Sequence, residues 1–359
     1  MAENKLGKQT FIFKNRPKIT SACSIVGVKE GQGPLNKWFD MILEEDTFGE
    51  KTWEKSESKM LKEAILIALQ KSGKNKTEID VLLCGDLLNQ LMSSSFTARD
   101  MHIPFIGLYG ACSAMTENLL MSSVLVDGDY ASNIIAGASS HYCTAERQFR
   151  MPLEHGNQRP PSAQWTATAA GVMVITTGKK YESNSPFLKL DDSANLKPPK
   201  RICITHGTIG KIIDTGMKDA NQMGAAMAPA AVDTILNHFA DTGFEPGHYD
   251  VILTGDLGLI GKQIAIDLLV DAGFPKEVLD NCYDDCGTML FDEEQDVHSG
   301  ASGCGCSASV LSGYVYKKML QGDINRVLIL STGALLSTIS PFQGESIPGI
   351  AHAISLEAY

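Results

Sequence analysis

The residue best placed to do chemistry is Cys112, which stands in the Gly-Ala-Cys-Ser motif of the segment Tyr109–Met115. An apolar run at Phe105–Leu108 precedes the segment and a helix-like stretch at Thr116–Val126 follows it, which predicts a strand, a tight turn and a helix. A cysteine at a helix N-terminus has its thiolate favoured by the helix dipole and by unpaired N–H groups, which would make it a nucleophile. A free cysteine is equally typical of a small buried apolar residue. This segment alone leaves both interpretations open.

Other residues that bind metals or phosphates elsewhere do not have the required spacing here. The pairs Cys282-x3-Cys286 and Cys304-x-Cys306 depart from the two-residue zinc knuckle. The chain has no Asp-x-Asp-x-Asp-Gly calcium loop, and the glycine-rich stretch Gly300–Gly305 lacks the Lys-Ser/Thr ending of a phosphate loop. We therefore expect no metal site and no cofactor.

The composition limits the class of partner and the compartment. A formal net charge of -11 over 359 residues disfavours nucleic acid and anionic lipid, so an anionic ligand would need a local basic site. Nine cysteines without a disulfide framework indicate a reducing compartment. The polar N-terminal residues predict no signal peptide, and no stretch approaches the ~20 apolar residues of a spanning helix. Membrane association is therefore expected to be peripheral or through a partner.

The elements that must position Cys112 follow from hydrophobic spacing. Apolar residues recur at helical spacing through Glu54–Lys71, which predicts an amphipathic helix. Short apolar runs at Val81–Cys84, Asn133–Gly137 and Gly171–Thr176 alternate with helices, which predicts an α/β fold with a largely parallel sheet buried on both faces. The turn-rich residues 8–50 are expected to form an extended segment that caps this fold.

The second half of the chain repeats the first. Two pairs of similar segments occur in the same order: Ile79–Leu87 with Tyr249–Leu257, and Gly128–Ile135 with Gly322–Ile329. The second similarity places Cys306 opposite Cys112. A polar, proline-containing stretch, Lys179–Lys200, separates the copies. We therefore predict an internal duplication with halves at 1–182 and 183–359.

Two α/β halves, with a Gly-Ala-Cys-Ser turn in the first and a Gly-Ser-Ala-rich turn in the second, resemble the thiolase fold over nearly the whole chain. The closer resemblance is to the stage V sporulation protein AD family, through the segments Gly85–Gln90, Ala145–Arg150, Met227–Ala231 and Ser331–Ser337. It implies duplicated halves packed in α-β-α-β-α layers. It also implies uptake of dipicolinic acid, a pyridine dicarboxylate accumulated with calcium, beside membrane subunits of the spore dipicolinate channel. A homodimer, peripheral on the forespore inner membrane, is expected by analogy.

The same resemblance bears on catalysis. Condensing enzymes of the thiolase fold pair a cysteine with two histidines, or with a histidine and an asparagine. The first of these partners normally follows the strand that is Val251–Thr254 here, where this chain has Asp256, and Cys304 takes the place of the second. An aspartate would repel a developing enolate, so we predict a non-catalytic protein. The alternatives are an acyltransferase that uses Cys112 and a purely structural adaptor. His298 is either a displaced catalytic histidine or a loop histidine.

The ligand implied by the resemblance, dipicolinic acid or its calcium chelate, needs charge-assisted donors and a flat apolar wall. Ligands of open α/β sheets collect at the carboxyl ends of strands, and a polar stretch follows the strand Asn133–Ala138. We predict the site from that stretch and from the two cysteine turns: Ser140, His141, Arg147 and Arg150 near the ligand, with Cys112 and Cys304 in the wall. Arg147 and Arg150 alternatively share a helical face and pair with nearby carboxylates such as Glu146 or Glu154.

Three further polar residues are predicted to hold loops in shape. Asp86 and Asp256 occupy equivalent positions after their strands in the two copies, and Asn89 lies in the loop after Asp86. The two aspartates would bond backbone N–H groups. The other possibility is that they meet near the twofold axis of the repeat and contact a calcium ion that the ligand carries.

Overall fold

The computed structural model describes residues 2–149, 159–177 and 200–359. Its principal helices are α1 (Trp53–Ser72), α2 (Met92–Met101), α3 (Ala114–Asp127), α4 (Tyr142–Phe149), α5 (Met223–Thr242), α6 (Gly258–Asp271), α7 (Lys276–Cys282), α8 (Cys286–Met289), α9 (Cys304–Val310) and α10 (Tyr316–Gln321). A π-helical turn, Leu311–Val315, joins α9 to α10. Among the described residues, no helix is both long and apolar enough to cross a membrane.

The strands of the described residues are β1 (Thr10–Ile12), β2 (Lys18–Val26), β3 (Met41–Ile42), β4 (Val81–Gly85), β5 (Phe105–Gly107), β6 (Asn133–Ser140), β7 (Trp165–Thr166), β8 (Ala169–Thr176), β9 (Ile202–Thr208), β10 (Val251–Thr254), β11 (Tyr283–Asp285), β12 (Ala301–Ser302), β13 (Arg326–Ala334) and β14 (Gly349–Ala358). All but two of them form one large sheet. The short strands β7 and β12 pair separately.

The sheet confirms the predicted duplication. The first half contributes the order β5-β4-β6-β8-β2, and the second half contributes the matching order β11-β10-β13-β14-β9. The halves join where β2 pairs with β9, at Lys18 and Ile19 opposite Cys203 and Ile202. The predicted boundary between residues 182 and 183 lies outside the described residues.

Two expectations about the sheet were wrong. It is not largely parallel, because β8 and β14 run antiparallel to both of their neighbours. Continuous burial gives parallel and antiparallel strands the same apolar pattern, so the sequence did not distinguish them. Residues 8–50 do not cap the fold, because β2 lies in the middle of the sheet. Its polar residues obscured the strand pattern; the buried hydroxyl of Ser21, for example, donates to the carbonyl of Ala68.

The helices form the layers of the predicted α-β-α-β-α fold. Helix α1 packs on the outer face of the first half, where Met60, Leu61 and Ile65 are fully buried. Helix α5 packs on the second half. Between the halves lie α3 and α9: α3 contacts strands of both, and every residue of α9 is buried. Cys112 lies just before α3 and Cys304 is the first residue of α9, so both cysteines lie in the middle of the protein.

The first cysteine turn has the predicted strand–turn–helix form. Strand β5 ends at Gly107, and α3 begins at Ala114. Ala111 adopts a positive φ of 51°, which an alanine rarely does, and the Ser113 hydroxyl donates to the carbonyl of Gly110. This sharp reversal places the Cys112 side chain at the start of the central helix.

Candidate functional site

Cys112 lies in the wall of an open apolar pocket, whose free space is about 520 Å³ when the solvent at its mouth is included. The walls come from the loop after β4, the cysteine turn, α4, the paired strands β7 and β12, the start of α5, and the end of β13 with the loop after it. The lining residues are Leu87, Tyr109, Ala111, Cys112, Ala145, Glu146, Phe149, Thr166, Ala220, Met223, Ser302, Gly303, Ala334 and Leu336. Both halves of the chain therefore build the pocket.

The Cys112 thiol is not activated. Only 8% of the residue is exposed, and its thiol faces the Asp256 carboxylate, the Cys304 thiol and the backbone N–H of Gly303. Burial, followed by the negative charge of Asp256, raises the pKa of the Cys112 thiol well above its ordinary value. Desolvation and a neighbouring carboxylate thus outweigh any effect of the helix N-terminus. The thiol stays protonated at neutral pH.

Asp256 holds the centre of the site together. Its carboxylate accepts hydrogen bonds from the backbone N–H of Gly303 at 2.9 Å and from the Thr332 hydroxyl at 2.6 Å. Its carbonyl oxygen accepts from the Gln164 side-chain amide at 2.7 Å. Burial raises the pKa of Asp256 to about 7. The residue thus links the end of β10 to β13 and to the start of α9, beside Cys112.

Cys304 lies behind the pocket wall rather than in its lining. It is fully buried at the first position of α9, and its thiol donates to the carbonyl of Ser139 at 2.8 Å. The preceding Gly303 has a φ of 94°, a conformation that favours glycine, and a Cβ there would approach the Ser140 hydroxyl. Without a side chain, the Gly303 backbone can lie against Ser140, and its N–H bonds Asp256.

Asp86 and Asn89 lie in a loop beside the pocket. The Asp86 carboxylate is fully buried and accepts from the backbone N–H groups of Leu88 and Ser94. The Asn89 N–H donates to the side-chain carbonyl of Gln148 on α4. In the part of the chain that the structure describes, Asp86 and Asp256 bond different loops and not each other.

The structure does not gather the predicted polar donors around Cys112. His141 is fully buried, with Nε2 2.9 Å from the Asp46 carbonyl, and Ser140 donates to the carbonyl of Ala167. Neither lines the pocket. Arg147 pairs with Glu54 in a separate cleft. Arg150 lies outside the described residues, and the exposed His298 contacts the Pro160 carbonyl and Asp296.

Helix phase explains the placement of Arg147. Ala145 and Phe149, four positions apart, share the face of α4 that lines the pocket, whereas Arg147 and Gln148 line the cleft beside it. Phe149 and Glu146 line the pocket but were not predicted to do so, although the helical spacing of Ala145 and Phe149 was a usable signal. No sequence pattern predicted the three other lining residues Tyr109, Met223 and Leu336. Tyr109 and Leu336 lie in loops, and Met223 is the first residue of α5, in the other half of the chain.

The electrostatics of the pocket are unusual for an anion site. Its described lining contains no lysine, arginine or histidine, and the single carboxyl group is that of Glu146. Hydroxyl groups of Tyr109, Thr166 and Ser302 are the polar groups of the wall beside the Cys112 thiol. Burial raises the pKa of Tyr109 to about 12, so its hydroxyl stays protonated and can donate.

We expect Asp256→Asn to accelerate alkylation of Cys112 by iodoacetamide at neutral pH. Loss of the carboxylate lowers the Cys112 pKa, and each unit lowered gives about tenfold more thiolate. Rates per cysteine come from mass spectrometry. Asp285→Asn is the matched control, because this equally buried carboxylate raises the pKa of Cys286 instead. If both substitutions accelerated the alkylation of Cys112 equally, the effect of Asp256 on the Cys112 pKa would be contradicted.

The sequence belongs with known sporulation proteins. The family described as Stage V sporulation protein AD (SpoVAD) matches residues 7–357. Stage V sporulation protein AD of Bacillus subtilis (strain 168) is 41% identical over 351 residues, which cover 98% of this chain and 97% of that protein.

Solved structures share the fold at low identity. Cerulenin-bound OleA of Xanthomonas campestris is 11% identical with a TM-score of 0.59, over 96% of this chain and 98% of that one. The 3-oxoacyl-[acyl-carrier-protein] synthase III of Aquifex aeolicus VF5 is 11% identical with a TM-score of 0.55, over 95% and 99%. Human mitochondrial 3-ketoacyl-CoA thiolase with CoA is 10% identical with a TM-score of 0.56, over 97% and 99%. These similarities confirm the thiolase-like fold, and the nearly full-length family match shows that the chain belongs to the stage V sporulation protein AD family.

Proposed function

We propose that this protein, which has a role in sporulation, binds dipicolinic acid in the Cys112 pocket without altering it, for uptake into the developing spore. The observation that carries the non-catalytic part of this proposal is the bond between the Gly303 N–H and the Asp256 carboxyl group beside a protonated Cys112. A thioester carbonyl at Cys112 would need such an N–H donor to stabilise its oxyanion. Here that donor is already occupied by Asp256, whose carboxyl group stands where negative charge would develop.

The walls suit a flat, largely apolar ring. Leu87, Ala145, Phe149 and Leu336 supply apolar surface, and the hydroxyls and the thiol supply donors. A dianion also needs positive charge, which the described lining does not contain. Arg150, which directly follows Phe149 in the chain, is our candidate for that charge when the ligand is free, and calcium supplies it when the ligand is chelated.

An acyltransferase is the second candidate function, and one observation favours it. Cys112 stands at a sharp turn immediately before the central helix, in an open-mouthed pocket, and the fold is shared with acyl-transferring enzymes. Its raised pKa opposes this role. Treatment with acyl thioesters followed by intact-mass analysis distinguishes the two functions, since only the enzyme forms an acyl-cysteine.

Isothermal titration should show saturable binding of dipicolinate to the wild-type protein, with and without calcium, and weaker binding of pyridine-2-carboxylate. Arg150→Ala should weaken binding of the calcium-free ligand about tenfold or more because a charge-assisted contact is lost. Cys112→Ala should leave affinity nearly unchanged, whereas Cys112→Trp should abolish binding by filling the pocket.

Arg147→Ala is the matched control for Arg150→Ala, since Arg147 pairs with Glu54 outside the pocket. Equal losses in both arginine variants would contradict the assignment of Arg150. Absence of binding to the wild type, together with acylation of Cys112, would replace this proposal with the acyltransferase.

We also propose that two copies associate through the edge of the sheet at β5, which pairs with β4 alone among the described strands. The dimer would work beside membrane subunits of the dipicolinate channel at the forespore inner membrane. Ile106 on that edge strand and Tyr109 after it are 45% and 46% exposed, and Phe96 of α2 is 37% exposed. An exposed apolar edge strand favours pairing with a second copy.

Light scattering after gel filtration should give the mass of a dimer for the wild type, and Ile106→Lys should shift it toward the monomer. Leu259→Lys, at a 56% exposed site on α6, should leave the dimer intact. A monomeric wild type, or dissociation by the α6 substitution alone, would contradict the β5 interface.

A further inference from the structure

Two cationic side chains, those of Lys29 and Arg159, lie over the ring of Trp165 on the short strand β7. The Trp165 ring stacks on that of Tyr142 with centroids 3.8 Å apart and planes inclined by 10°. The Lys29 Nζ lies 4.3 Å from the Trp165 ring centroid, and the Arg159 Cζ lies 4.8 Å from it. Because Tyr142 covers one face of the indole, both cations share the other face. Each contact is a cation–π interaction, but the two cations repel each other.

Backbone carbonyls of a neighbouring loop fix the two cations in place. The Lys29 ammonium donates to the carbonyl of Gln295 at 2.5 Å, and the Arg159 guanidinium donates to the carbonyl of Asp296 at 2.5 Å. Neither contact neutralises the charge. The pair is therefore held in a set geometry before any ligand arrives, which lowers the entropic cost of binding.

Carboxylates around this pair compensate it poorly. The Asp296 carboxylate lies 3.5 Å from Arg159, but its side chain is 81% exposed and also contacts His298 at 3.1 Å. The adjacent Glu30 is buried, which raises its pKa to about 8 and leaves it mostly protonated at neutral pH. Among the described residues, the two cations over Trp165 thus have one exposed carboxylate within ion-pair distance.

One donor of the pair is unused. The Nη1 atom of Arg159 is buried and has no hydrogen-bond partner among the described residues. The side chain as a whole is 15% exposed, so the guanidinium is largely desolvated. Burial and the charge of Arg159 lower the pKa of Lys29. Buried guanidinium donors are normally paired, and an oxyanion is the partner that their fork geometry fits.

We propose that Lys29 and Arg159, which lie over the face of Trp165, form a binding site for a small oxyanion, a carboxylate or a phosphate group. Thr166, the next residue of β7, lines the Cys112 pocket. Successive side chains of a strand point to opposite sides, so the oxyanion site lies on the other side of β7 from that pocket. The two sites are distinct, and this proposal does not rest on dipicolinate binding.

Tryptophan fluorescence of the whole protein tests the proposal. Inorganic phosphate and benzoate are titrated separately at constant ionic strength, with chloride as the blank. At least one of the two anions should give a saturable change in fluorescence that disappears in Trp165→Phe. The anion that saturates shows whether the site prefers a phosphate group or a carboxylate. Saturation by neither probe would overturn the proposal, as would a signal that persists in Trp165→Phe.

Arg159→Gln and Lys29→Gln should each weaken binding about tenfold or more, since each removes one charge-assisted donor. Lys29→Arg keeps the charge and should retain binding. Arg99→Gln is the matched control: Arg99 also lies 4.8 Å over a ring, that of Phe96, but it is already paired with Asp100. If Arg159→Gln kept its fold by circular dichroism and bound the anion as tightly as the wild type does, the proposed oxyanion site would be contradicted.

Discussion

The Asp256 carboxyl group is buried in the middle of the protein, out of reach of bulk water. The protein itself must therefore supply its hydrogen-bond donors. A backbone N–H from the start of α9 and a hydroxyl from β13 meet it, and the Cys112 thiol from the other half of the chain faces it. These contacts fix how the two cysteine turns lie relative to each other. They also bear on the chemistry, because burial and the Asp256 carboxyl group together keep the thiol protonated, and Asp256 occupies the donor that an oxyanion would use.

The fold thus keeps an open pocket whose cysteine thiol is protonated and whose neighbouring N–H donor is already bonded. Both halves still carry a central helix to the cysteine turns, and the pocket between α4 and the first turn is still open. Similarity to thiolase-fold enzymes at 10–11% identity accounts for this architecture and for nothing more specific. Family membership accounts for the sporulation role, and the local chemistry around Cys112 supports a binding function rather than group transfer.

Much of the fold could be predicted from the sequence, because local spacing and an internal repeat encode it. The turn at Cys112, helix α1 and the duplication followed from these signals. Strand β2 did not, since its buried serines resemble a loop until their tertiary partners are known. In the site, Asp256 and Cys304 were placed near Cys112 by the resemblance, but the thiol pKa depends on burial. The position of Arg147 depends on helix phase. Lys29 and Arg159 are far apart in the chain, and only the tertiary structure brings both over the Trp165 ring.

The most direct test of the central claim is a crystal structure of the protein soaked with dipicolinate. The account predicts a planar ligand between Cys112 and α4, with the Cys112 sulfur unmodified and Asp256 still bonded to the Gly303 N–H. A ligand bound elsewhere, or an Asp256 side chain that swings away to free that N–H for a group attached to Cys112, would contradict it.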